Sequence, residues 1–215
     1  MAWHSHIIRT EPLGETLREA KDQYLAADAP VTLTLIWVVI AVFAVEVALA
    51  VLFGTRSIRL VAVGSFKFHP EIAWLAGPFL HASPRHLLVN IGGLALLGIP
   101  LEQHFSNHRI GTFIIVTAYL STAVGGLLLA MFTADQVAMY GISGTVFAMG
   151  GFGLVHLGSS NDSLPAFEWV AVILGLSTVV SVAFDPFTGP YFHPDWINGG
   201  HTTGVVIGVI AGVLR

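Results

Sequence analysis

LTLIWVVIAVFAVEVALAVLF, residues 33–53, is an apolar run broken by a single charge, Glu46. A helix rises about 1.5 Å per residue, so about 20 apolar residues cross the roughly 30 Å hydrocarbon layer of a bilayer. The stretch therefore reads as a membrane-spanning helix. Working outward, five further apolar segments follow, at residues 86–101, 111–132, 142–157, 167–184 and 200–214. The first and third of the six are long enough to span easily. The second, fourth and sixth are near about 24 Å at helical rise, short enough to place an end below the membrane surface.

The composition agrees. Of 215 residues, 54% are hydrophobic and 10% charged. A soluble domain carries roughly 25% charged residues, so this chain cannot cover a water-facing surface. The formal net charge of −4, with no basic run, argues against nucleic-acid binding. The absence of cysteine excludes disulfides and thiolate metal sites. The first 30 residues carry Arg9, Glu11, Glu15, Arg18, Glu19 and Lys21 without an early apolar core, unlike a cleavable signal peptide. Leu13, Leu17, Ala20 and Tyr24 recur at helical spacing after Pro12, which predicts a short amphipathic helix. The expected division is a polar N-terminal segment, 1–30, and a membrane domain, 31–215. Within the latter, the first loop, 54–85, lies at the interface through Arg56, Arg59, Lys67, Phe66, Phe68 and Trp74. A cytoplasmic N-terminus places Arg9, Arg18, Lys21, Arg109 and Arg215 inside. It leaves Arg56, Arg59, Lys67 and Arg85 outside, a narrow margin for that orientation.

Polar residues within membrane helices are expensive and mark function. Three clusters carry them here. FLHASPRHLLVN holds His81, His86 and Asn90, the last two on one helical face. Gly141-Ile142-Ser143-Gly144 opens the fourth segment, and Asn198-Gly199-Gly200-His201 opens the sixth. Each alone has an ordinary reading, as a serine bonded back to its own helix, a packing histidine, or polar glue between helices. Together they fit acyl transfer. A serine hydroxyl needs a base, which histidine supplies near neutral pH. The oxyanion of the tetrahedral intermediate needs donors. The backbone N–H of Ser143 at a helix N-terminus can be one, and the side chains of His86 and Asn90 can be two more. No aspartate lies in the motifs, so the expected machinery is a Ser143–His201 dyad without metal or cofactor.

Glycines recur every four residues at Gly200, Gly204, Gly208 and Gly212, and Gly144, Ala148 and Gly151 form a comparable small surface. Such stripes let two helix backbones touch. Their contact brings Ser143 to His201, with Phe147 stacked on the His201 ring. Val209 is expected on the opposite, exposed side.

These motifs, in this order, resemble the rhomboid family: His81, His86 and Asn90; Gly141, Ser143 and Gly144; His201, Gly204 and Gly208. Gly98, Leu101 and Glu102 resemble the family's turn after its second helix. The resemblance covers residues 54–215. It implies an all-α membrane protein, a six-transmembrane-helix bundle with a short central fourth helix. It also implies oxyanion contacts from His86 and Asn90, and cleavage of single-span transmembrane protein substrates in the lipid bilayer of the plasma membrane. The fifth helix and the loop 185–198 become the substrate gate. Two departures stand out: the family's Trp-Arg pair in the first loop is missing, and Phe147, where many relatives have an aromatic and often a tyrosine, carries no hydroxyl. Glu46 has no role in the pattern. The rival readings are a catalytically inactive rhomboid-like binding or quality-control factor and a proton-coupled transporter. A metal site at Glu102, His104 and His108 is disfavoured, because all three lie in one polar turn.

Overall fold

In a computed structural model of the chain, the described residues are 13–54, 75–81, 83–132, 141–158, 166–184 and 198–214. Most of the first loop and the segment 185–197, where the substrate gate was expected, lie outside them. Among the described residues every regular element is helical. Seven helices lie among the described residues: α1 (Leu13–Ala26), α2 (Pro30–Phe53), α3 (Pro84–Glu102), α4 (Asn107–Phe132), α5 (Ser143–Gly158), α6 (Ala166–Phe184) and α7 (Asn198–Val213). The last six correspond to the six apolar segments, and α1 is the amphipathic helix expected within residues 1–30. Helices α2, α3 and the Asn107–Gly126 part of α4 are long and apolar enough to cross a membrane, while α5, α6 and α7 contain shorter apolar stretches. The second segment is longer than its hydropathy implies because Ser83 caps it, accepting the His86 N–H at 3.2 Å, with Pro84 in the first turn.

Proline shapes the far end of α3. Pro100 has no N–H to give Leu96, and its ring would strike that carbonyl in a regular helix. The chain widens into a π turn over Leu94–Gly98, and the released Leu96 carbonyl accepts the Tyr24 hydroxyl at 2.7 Å. This bond ties α1 to the membrane domain, and burial pushes the Tyr24 phenol up to about 12. A second tie uses Glu102, whose carboxylate accepts the N–H groups of Val31 and Thr32, both at 2.8 Å. It thereby caps the first turn of α2 from the end of α3. Gly98 lets the two helices approach, since a Cβ there would lie 2.8 Å from the Thr32 side chain.

At the centre stands α5. It packs most extensively on α7, then on α6, with α4 and the π turn of α3 on its remaining sides. The core around it, to which it contributes Met149 and Phe152, includes Leu94, Leu97, Leu101 and Ile142. The glycine stripe of α7 makes the closest approach. A Cβ on Gly204 would overlap the Gly144 carbonyl, and one on Gly208 would overlap that of Ala148. Val209 is not on the exposed side as expected. Its backbone nitrogen and side chain would lie 3.2 and 3.3 Å from a Cβ on Gly151, so it belongs to the α5–α7 contact. Val206 and Ile210 are the outward positions of that turn.

Candidate active site

The start of α5 is built by one backbone conformation. Gly141 has φ +96°, in the left-handed region that glycine enters freely. Its missing side chain matters as much. A Cβ there would lie 2.6 Å from Cε1 of His86, 2.8 Å from its Nε2 and 3.1 Å from Nδ2 of Asn90. The turn at 141–143 is therefore pressed against the polar edge of α3. The Gly141 N–H donates to the Gly77 carbonyl at 2.9 Å, which pins the turn to a 3₁₀ turn, Gly77–Phe79. The Ile142 carbonyl accepts the first bonds of α5, from Thr145 and Val146. The N–H groups of Ser143 and Gly144 precede these and have no intrahelical acceptor.

The close contact of α5 and α7 sets the next distance. Nε2 of His201 lies 2.9 Å from Oγ of Ser143. With the ring proton on Nδ1, Nε2 accepts the hydroxyl proton, the geometry a general base requires. The His201 ring is stacked on Phe147, centroids 4.0 Å apart and planes 6° from parallel, so its plane is held by packing. Gly144 sits against Ser121 of α4, where a Cβ would overlap the serine side chain, and this locks the first turn of α5 from a third side.

The hydrogen-bond pattern fixes the tautomer of His81. Its Nδ1 is 3.0 Å from the Phe79 carbonyl, which can only accept, so Nδ1 carries the proton. In the neutral ring Nε2 is then an acceptor, and the group 3.0 Å from it is the Asn90 amide nitrogen, which donates. Among the described residues the second N–H of that amide has no acceptor. The rings of His81 and His86 are 5.1 Å apart.

The structure thus gathers Ser143, His201, His86, Asn90, His81, Gly141, Gly144, Phe147 and Gly204 in one region, while Gly208 lies one turn further along the α5–α7 seam. Sequence reasoning missed Gly77 and Ser121, which carry no signal of their own. It singled out Glu46 without a role. Glu102 and His104 do not share a ligand: Glu102 caps α2, and Nε2 of His104 lies 2.9 Å from the Glu168 carboxylate.

Comparison with known proteins points to one family. Residues 71–215 match the family model described as Rhomboid domain. "RHOMBOID-like protein 2" of Arabidopsis thaliana is 33% identical over 104 residues, 46% of this chain and 31% of that protein. "RHOMBOID-like protein 1" of the same plant is 29% identical over 167 residues, 74% of this chain and 41% of that protein. "Rhomboid-related protein 3" of Mus musculus is 26% identical over 201 residues, 83% of this chain and 48% of that protein. The matches span less than half the length of these relatives.

Proposed function

As this chain belongs to the rhomboid family, we propose that it is an intramembrane serine endopeptidase that cleaves single-span transmembrane proteins. The observation that carries this reading is the 2.9 Å approach of His201 Nε2 to Ser143 Oγ at the first turn of a central helix. In this reading α2 to α7 are six spans, the N-terminus is cytoplasmic, and the membrane is the plasma membrane.

The chemistry follows from the positions of the groups. Ser143 Oγ attacks the scissile carbonyl carbon as His201 Nε2 takes the hydroxyl proton. The negative charge that develops on the carbonyl oxygen is met by the Ser143 N–H, the second N–H of Asn90 and the His86 side chain. Collapse of the intermediate breaks the C–N bond, and His201 returns its proton to the departing amine. Water, activated by the same imidazole, hydrolyses the Ser143 ester. Stacking on Phe147 keeps the ring in register through both proton transfers. A helix of 16 residues reaches about 24 Å, so Ser143 lies roughly 6 Å below the surface if the far end of α5 is at the other interface. The polar side chains of His81, His86 and Asn90 line a route for the water that hydrolysis needs.

The test is to reconstitute the purified chain in liposomes with a panel of single-span proteins and to identify products by mass spectrometry, alongside labelling by a serine-directed fluorophosphonate. Cleavage and labelling should both disappear in Ser143→Ala and His201→Ala while the thermal unfolding curve is kept. His86→Ala and Asn90→Ala should each lower kcat, by up to about 10²–10³-fold, with a smaller change in KM. Labelling that survives in Ser143→Ala would refute the reading. A wild-type protein that binds substrates but neither cleaves nor labels would be an inactive binding relative instead.

A further inference from the structure

Glu46 is a carboxylate within α2, a helix that exposes many large apolar side chains, yet only 6% of its own surface is accessible. The buried residues of α2 are Thr32, Val39 and Glu46, spaced by seven, so they form one line along the helix that faces the bundle. Ionisable side chains at membrane depth are costly and are kept where they meet a specific partner. The partner here is a backbone group. Oε2 and Oε1 of Glu46 accept the N–H of His81 at 3.2 and 3.3 Å.

What that N–H belongs to gives the contact its meaning. The segment 77–81 touches the candidate site twice. At one end the Gly77 carbonyl accepts the Gly141 N–H and so holds the turn before Ser143. At the other end the His81 ring accepts one N–H of Asn90 and leaves the second for the substrate oxygen. Segment 77–81 has no place in a regular helix beyond its single 3₁₀ turn. Within it, the Leu80 N–H bonds back to Gly77 at 3.2 Å, and Nδ1 of His81 donates to Phe79 at 3.0 Å. These bonds shape the segment from within, and the Glu46 carboxylate adds a tie to α2 beside those to Asn90 and Gly141.

We propose that Glu46 is a positioning residue: by anchoring His81 from α2, it holds the Asn90 amide in the placement beside Ser143 that oxyanion binding needs. The proposal rests on the protease reading for its kinetic consequences, but its structural core does not. Because the role is to accept a hydrogen bond, an amide oxygen serves in place of a carboxylate, whereas a hydrocarbon does not. Because Glu46 acts through His81 on Asn90, its removal loses most of its effect once the Asn90 amide is gone.

The experiment uses the full chain in liposomes with Glu46→Gln, Glu46→Leu, Asn90→Ala and the double variant Glu46→Leu/Asn90→Ala. Glu46→Leu should lower kcat about tenfold with KM within about twofold, since a displaced donor loses part of what a deleted one loses. Glu46→Gln should recover most of that rate. In the Asn90→Ala background, Glu46→Leu should cost less than about threefold. Equal losses in Glu46→Gln and Glu46→Leu, or full additivity with Asn90→Ala, would overturn the proposal. A second readout is independent of turnover: the side-chain amide resonance of Asn90 in ¹⁵N-labelled protein. It should shift in Glu46→Leu and stay near its wild-type position in Glu46→Gln, and an unmoved resonance in Glu46→Leu sinks the idea. Glu46→Ala takes the place of Glu46→Leu if the larger side chain prevents folding. If Ser143→Ala retains full turnover, the protease reading falls while the Asn90 resonance still decides the role of Glu46.

Discussion

Helices α2 and α5 are opposites. The 24 residues of α2 are apolar almost throughout, yet it touches the bundle along one line and turns Trp37, Val45, Leu49 and Val51 outward. The 16 residues of α5 include five glycines beyond Ser143, and no large apolar side chain on it is exposed among the described residues. The difference follows from what each helix has for a solvent. Lipid solvates α2, so large apolar side chains on every face cost nothing and need no partner. Protein surrounds α5, so its side chains must be small enough for neighbouring backbones to come close. High hydropathy therefore marks a membrane helix but not a central one. The central helix, which carries the chemistry, is the one made of small residues.

The contrast breaks most visibly where α5 is crowded. Gly204→Leu places a side chain on the Gly144 carbonyl, and backbone cannot retreat as a flexible side chain can. The α5–α7 seam should open and carry Ser143 away from His201. A displacement of about 1 Å can lower rate about 10²-fold. The expected outcome is a loss of cleavage of at least that size together with a lower unfolding temperature in detergent. Val206→Leu, on the outward side of the same helix, should change neither. A fully active and equally stable Gly204→Leu protein would mean that the seam does not build the site.

A middle-sized effect is expected where α2 does have a partner. Glu102→Ala leaves the Val31 and Thr32 amides without their acceptor. Removing a partner from buried donors typically costs about 1–3 kcal/mol. Thermal unfolding should register this loss, while kcat at low temperature falls far less than in Gly204→Leu. Identical damage to rate and stability would place the two ends of the bundle in one cooperative unit with the site.

The smallest effect sharpens the lipid-facing half of the comparison. Val45 precedes Glu46 in the chain but points away from the bundle and is 58% accessible. Val45→Ala should change stability by less than about 0.5 kcal/mol, because no protein contact and no water-driven burial is lost. A large destabilisation, measured by the same thermal unfolding, would show that this face of α2 is covered by protein in the bilayer.

Much of the fold was legible before any coordinates. Apolar runs gave six helical segments, and the amphipathic spacing of Leu13, Leu17, Ala20 and Tyr24 gave α1. The structure extended the second segment to Pro84–Glu102, because a serine cap and a proline in the first turn add residues that hydropathy does not count. It also inserted a π turn, whose cause, Pro100, was visible in the sequence while its geometry was not. Among the site residues, polar groups in apolar surroundings stood out because their burial is expensive. Gly77 and Ser121 contribute a carbonyl and a packing surface, which any residue pattern could provide, so nothing marked them. A four-residue glycine spacing implies one straight contact line with Val209 on the far side, whereas α7 also meets α5 through Val205 and Val209.

By itself the sequence determined the solvent of this protein, its helical content and the residue types able to carry acyl transfer. Those properties depend on local composition and on periods of three to four residues. Only the tertiary structure decided which backbone each glycine meets, which face of α2 is buried, and what Glu46 and Glu102 hold. Glu46 finds its partner at His81 and Glu102 finds its partners at Val31 and Thr32, in each case on another element far along the chain. Such contacts come from packing several helices at once, and the free energy that selects them is shared among segments whose own patterns would be the same with any other partner.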